Sequence, residues 1–108
     1  MNRSDPISPA SISVFLVDDQ TLVRQGIRSL LSLAEGIEVV AEASDGRQAV
    51  EKIPQVKPDV VLMDMRMPAM SGLEALQALG RAGTLPPTII LTTFDDDQLV
   101  LAGIRAGA

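Results

Sequence analysis

Asp18 and Asp19 directly follow the apolar run Ile12–Val17, and Asp64 directly follows the apolar run Val60–Met63. If the two runs are neighbouring parallel strands, all three carboxylates meet at one end of a sheet, where open α/β sheets bind their ligands. Three crowded carboxylates repel one another unless a cation sits among them. Oxygen-only donors suit a hard divalent ion, Mg2+ above all. A carboxylate beside such an ion can attack phosphorus and form an acyl phosphate without a general base, while the metal shields the incoming phosphoryl oxygens. The expected chemistry is phosphoryl transfer to an aspartate.

Each residue also has a plainer reading. One of Asp18 and Asp19 suffices to cap a helix, which leaves the second acid unexplained. Asp64 alone reads as a turn residue opening the stretch up to Met70. Thr92, after Thr88–Leu91, is either an ordinary strand residue or a hydroxyl aimed at the same pocket; Thr93 points to the other face if the strand continues. Arg66 has three readings: its main-chain carbonyl completes a metal shell, its side chain approaches a phosphoryl group, or it is a solvated charge. Asp95-Asp96-Asp97 reads as the capped, solvated start of a helix, favoured by the helix dipole.

The elements that must place these residues follow from periodicity. Strands are expected at Ile12–Val17, Ile37–Ala43, Val60–Met63 and Thr88–Leu91. In the second, Ile37, Val39, Ala41 and Ala43 share one face, with Glu38 and Glu42 on the other; this half-polar pattern suits a sheet edge. A first helix runs from about Gln20 to Ala34, with Val23, Ile27, Leu30, Leu31 and Ala34 on one face, and Gly36 closes it through a left-handed residue. A second runs from Gly46 to Ile53, capped by Ser44 or Asp45, ended at Pro54 and facing the core with Ala49, Val50 and Ile53. A third opens at Ser71, whose spacing to Glu74 is that of a capping box, and buries Leu73, Leu76 and Leu79. Asp95 and Gln98 repeat the spacing before a fourth helix that ends near Gly107. Four βα units with short connections form a doubly wound parallel sheet. A closed βα barrel needs about twice this length.

The 108 residues suffice for one domain, and a 46% hydrophobic content supports a folded chain. The core must be aliphatic, because Phe15 and Phe94 are the sole aromatics. With no cysteine and no histidine, disulfides, thiolate nucleophiles, a Ser-His-Asp triad and phosphohistidine in this chain are excluded. The net charge of −5 argues against nucleic-acid binding by this segment. No dinucleotide fingerprint and no Gly-Lys-Ser/Thr phosphate loop occurs. Residues 1–11 carry Pro6 and Pro9, lack an apolar signal core and read as a flexible leader to a domain over 12–108. No apolar run approaches the roughly 18 residues that span a bilayer, so the expected location is cytoplasmic and no membrane partner is expected.

Val14-Phe15-Leu16-Val17-Asp18-Asp19-Gln20, Leu62-Met63-Asp64 with Met67-Pro68 and Gly72, and Leu91-Thr92-Thr93-Phe94-Asp95-Asp96-Asp97 together resemble the receiver domain of bacterial two-component response regulators, the LuxR/NarL type in particular. The resemblance implies an α/β flavodoxin-like sheet of order 2-1-3-4. By it Asp64 is the phosphoacceptor, Asp18, Asp19, Asp64 and the Arg66 carbonyl hold Mg2+, and Thr92 is the switch hydroxyl. The implied donor is a phosphohistidine on a sensor histidine kinase. The implied output is transcription regulation through an effector segment, as these regulators usually carry a helix-turn-helix DNA-binding domain. The family's fifth strand and helix, and the lysine closing that strand, have no counterpart up to Ala108, and Lys57 is in the wrong place to substitute. The chain is therefore expected to be part of a longer regulator. The fourth strand becomes an apolar edge, which invites pairing with a second copy. The domain is expected to be a switch and not a metabolic enzyme. The rivals are an aspartate-dependent phosphohydrolase, disfavoured because Arg66 stands where that chemistry wants a second acid, and a phosphorylation-independent interaction module.

Overall fold

The computed structural model describes residues 11–65, 71–91 and 97–107. The elements alternate as β1 (Ile12–Val17), α1 (Thr21–Ser32), β2 (Ile37–Ala43), α2 (Gly46–Val56), β3 (Val60–Asp64), α3 (Gly72–Ala82), β4 (Thr88–Leu91) and α4 (Asp97–Arg105). The strands form one parallel sheet in the order β2-β1-β3-β4, so the doubly wound expectation holds. Asp95, assigned above to cap the fourth helix, and the leader up to Ala10 lie outside the described residues.

The central strands are apolar on both faces; β1 is buried on both from Val14 to Val17, whereas β3 buries Val61 and Met63 and leaves Val60 and Leu62 half-buried. Phe15, Val17, Val61 and Met63 are fully buried on one face, together with Ala49 and Ile53 of α2 and Ala75, Leu76 and Leu79 of α3. The α4 helix joins this layer at Gly103, where an added Cβ would lie 2.4 Å from Ile90 and 3.0 Å from Met65. Val14 and Leu16 point to the opposite face, that of α1. The apolar stripe expected on α1 is only partly covered. Ile27 and Leu31 are half-buried, whereas Leu30 stays 69% exposed. Among the described residues no second helix flanks α1 on that face, so its stripe is wetted along one side.

Three local features depart from the expected pattern. First, β2 does not alternate regularly. Val14 pairs with Val39, but Phe15 pairs with Ala41, so Val40 is an inserted residue with no partner in β1. The insertion reverses the facing of everything after it. Ile37 and Val39 share the side of Ile12 and Val14, while Ala41 and Ala43 move to the side of Phe15 and Val17 and pack on the core. Glu42 is delivered to the α1 side. Second, α2 does not stop at Pro54 but runs to Val56. Pro54 sits in the last turn, where its fixed φ is helical and only one backbone bond is forfeited. The end is made by Lys57 in the left-handed region (φ 52°), whose N–H donates to the Ile53 carbonyl at 2.9 Å. Third, α1 ends at Ser32, before Gly36, although Gly36 does adopt the left-handed conformation at φ 81°.

Other local signals act as expected. Asp45 caps α2 by accepting from the Gln48 N–H at 2.8 Å. Ser71 and Glu74 complete a reciprocal capping box, with bonds of 3.2 and 3.0 Å. At the opposite end of the sheet from the acids, Asp59 fastens β3 to β1. Its carboxylate accepts from the backbone N–H and the hydroxyl of Ser13 at 2.8 and 3.0 Å. These bonds, the backbone one foremost, hold the Asp59 carboxyl below its ordinary value of 3.8.

Candidate metal centre and phosphoacceptor site

The topology brings the ends of β1 and β3 side by side, because Val17 pairs with Met63. The next residue on each strand is Asp18 and Asp64. One carboxylate oxygen from each of Asp18, Asp19 and Asp64 lies within 4.8 Å of the others. Asp18 is buried at 5% exposure, Asp64 is half-buried and Asp19 is exposed. The cluster thus grades from protein interior to solvent at the carboxyl edge of the sheet, the geometry expected of a cation site with an open side. All its donors are oxygens, which fits a hard divalent ion and not a transition metal selected by sulfur or imidazole.

Neither adjacent acid is spent as the side-chain cap of α1. The N-cap is Gln20, which makes no side-chain capping bond. Asp18 instead closes a local turn, its Oδ1 accepting from the Gln20 N–H at 2.9 Å. Its own N–H donates to the Ala43 carbonyl of β2 at 3.1 Å, and its carbonyl accepts from the Arg24 guanidinium. Asp64 ends β3 opposite Leu91 of β4. Behind it the first turn of α3 packs on the main chain. Gly72 donates its N–H to the Met65 carbonyl at 3.3 Å, and Met65 itself is 1% exposed. Only a residue without Cβ allows this approach.

Of the residues assigned from sequence, the structure brings together Asp18, Asp19 and Asp64. Thr92 and Arg66 lie outside the described residues, although β4 is placed so that Leu91 reaches the level of Asp64. Sequence reasoning missed two residues. Arg24 donates to Glu42 at 3.1 Å through Nε, to Thr21 Oγ1 at 3.3 Å through Nη2, and to the Asp18 carbonyl through Nη1. Glu42 also receives Arg28. The sequence carries only two arginines at i, i+4 spacing; regular alternation along β2 would turn their carboxylate partner to the other face, and the insertion at Val40 brings it to theirs.

A doubly wound parallel sheet with three acids at its carboxyl edge is the arrangement of one known family of signalling domains. Residues 14–108 match the response regulator receiver domain, and the chain belongs to that family. Within it, close relatives are of the LuxR/NarL type. The chain is 48% identical over 95 residues to the nitrate/nitrite response regulator protein NarP of Escherichia coli, covering 88% of this chain and 44% of NarP. It is 43% identical over 97 residues to the transcriptional regulatory protein LiaR of Bacillus subtilis, covering 90% of this chain and 46% of LiaR. The chain therefore spans less than half the length of either relative. The signal receiver domain of the putative response regulator NarL from Mycobacterium tuberculosis superimposes with a TM-score of 0.85 at 34% identity, covering 93% of this chain and 81% of that one. No helix among the described residues is long and apolar enough to cross a membrane.

Proposed function

We propose that this domain is a phosphorylation-controlled switch in which Asp64 accepts a phosphoryl group from a phosphohistidine of a sensor histidine kinase. The observation that carries the reading is the convergence of the Asp18, Asp19 and Asp64 carboxylates within 4.8 Å at the carboxyl edge of a parallel sheet. In the transfer a carboxylate oxygen of Asp64 forms the new bond to phosphorus, the phosphorus–nitrogen bond of the donor breaks, and the imidazole leaves with its electron pair. Asp18, Asp19, Asp64 and the Arg66 main-chain carbonyl are the residues that hold Mg2+. The ion, when bound, offsets the negative charge gathered on the phosphoryl oxygens and the three acids.

Thr92 is assigned the hydroxyl that follows the phosphoryl group, converting the modification into a changed surface around α4. A switch of this kind needs two conformations separated by a few kcal/mol. The domain performs at most its own phosphorylation and dephosphorylation and is not a metabolic enzyme. In the whole protein the switch governs an effector segment that regulates transcription, a reading supported by the relation to LiaR. Intact-mass measurement after incubation with acetyl phosphate and Mg2+ tests the assignment. The expected result is a single phosphate adduct on the native chain and none on Asp64→Ala. An adduct that persists in the variant moves the acceptor elsewhere.

A further inference from the structure

We propose that Arg24, aimed by Glu42, is a positioning residue that sets the Asp18–Asp19 peptide for divalent-metal binding; the inference rests on the metal reading of the acidic cluster. The guanidinium of Arg24 touches three elements at once. One nitrogen donates to the Asp18 carbonyl at the end of β1, a second to Thr21 Oγ1 in the first turn of α1, and the third to Glu42 Oε1 in β2. Arg24 is 15% exposed and Glu42 26% exposed, so the bonds to Glu42 and to the Asp18 carbonyl are partly shielded from water. Arg28, at 55% exposure, reaches the other oxygen of Glu42 from outside and contributes little by itself.

The bond to Asp18 falls on a carbonyl within the acidic edge itself. Asp18 and Asp19 share the peptide unit to which that carbonyl belongs, and rotating the unit swings the two carboxylates relative to each other. The Ala43 carbonyl holds the Asp18 N–H from one side. Arg24 holds its carbonyl from the other. Glu42 has a second part in the arrangement. The Glu42 carboxylate pairs with the guanidinium and keeps its charge engaged on the α1 side, leaving the acidic edge to a divalent ion. Lysine cannot reproduce this, since an ammonium lacks the planar fork that serves three acceptors.

The test is Mn2+ binding to the 108-residue chain, read from the free-ion signal in electron paramagnetic resonance, since the chain has no tryptophan or tyrosine to report by fluorescence. The native chain is expected to bind saturably and Asp19→Asn to lose that binding. Arg24→Met is expected to weaken Mn2+ affinity about tenfold, the lower end of what removing a ligand's supporting partner does, with Arg24→Lys falling between. Ser13→Ala, which removes a tie at the far end of β1, serves as a destabilised control and is expected to bind like the native chain. Arg24→Met binding within twofold of the native chain overturns the proposal, as does an equal loss in Ser13→Ala. Absence of any saturable binding that Asp19→Asn removes is a different outcome, and it brings down the metal reading together with this one.

Discussion

A Cβ placed on Gly72 would sit 2.2 Å from the Asp64 carbonyl oxygen and 2.8 Å from the Met65 Cα. The helix following the Asp64 strand thus begins on top of that strand's own backbone. Both obstructing atoms are main chain, so no side-chain rotation relieves the overlap. Gly72→Ala is expected to displace either α3 or the end of β3 and to lower stability by about 1–3 kcal/mol, the usual range for overpacking a tight site. Urea unfolding followed by circular dichroism measures the loss, and phosphorylation of Asp64 by acetyl phosphate is expected to slow in the same variant.

Neutralising a cluster acid should have opposite effects with and without metal. In metal-free buffer Asp19→Asn relieves like-charge repulsion at the carboxyl edge and raises the melting temperature. Added Mg2+ stabilises the native chain by mass action, about 2.7 kcal/mol when the ion is at a hundred times its dissociation constant, and should do little for the variant. Calorimetric scans of both chains with EDTA and with Mg2+ check the crossing. Parallel shifts in the two chains would speak against a shared cation.

The tie between Asp59 and Ser13 should appear in the acid limb of stability. The Asp59 carboxyl is held below 3.8 in the folded chain by the Ser13 N–H and hydroxyl. Its unfolded counterpart binds protons first as pH falls, so the native state gains from the ionised form. The contribution is complete above about pH 3.8 and disappears as pH drops through the lower folded value. Urea midpoints for the native chain and Asp59→Asn should differ near pH 6 and converge below pH 3.8. A gap that stays constant throughout would assign the tie no ionic component.

The β4 edge should pair with a second copy. Among the described residues β4 is bonded on one side, to β3, and it presents Ile89 at 56% exposure. Unpaired apolar edges associate readily, and a charge on the edge strand blocks this. Light scattering of the 108-residue chain is expected to show mass rising with concentration. Ile89→Lys should keep it monomeric.

Much of this fold is readable from local pattern because the pattern and the physics coincide. Val60–Met63 is apolar throughout, in keeping with a strand paired on both sides, and Ser71 with Glu74 names the start of α3 by chemistry confined to four residues. The convergence of Asp18, Asp19 and Asp64 follows once two strands are recognised as neighbours. What escaped reading depends on partners distant in the chain. The facing of Glu42 is decided by how β2 aligns with β1, and no period-two rule contains that choice. The role of Arg24 was hidden for the same reason. Pro54 looked like a terminator because its missing N–H is a local fact, whereas the bond at Lys57 that carries the helix one turn further depends on the backbone beyond it.

The unpaired Val40 also protects the domain against a folding error. Were β2 to dock without it, Phe15 would face Val40 and Val17 would face Glu42. The carboxylate would then be driven among Ala49, Ile53 and Met63, at a desolvation cost of several kcal/mol, while Ala43 turned outward. The slipped alignment is therefore the affordable one. The same side chain that anchors Arg24 makes the alternative docking self-defeating.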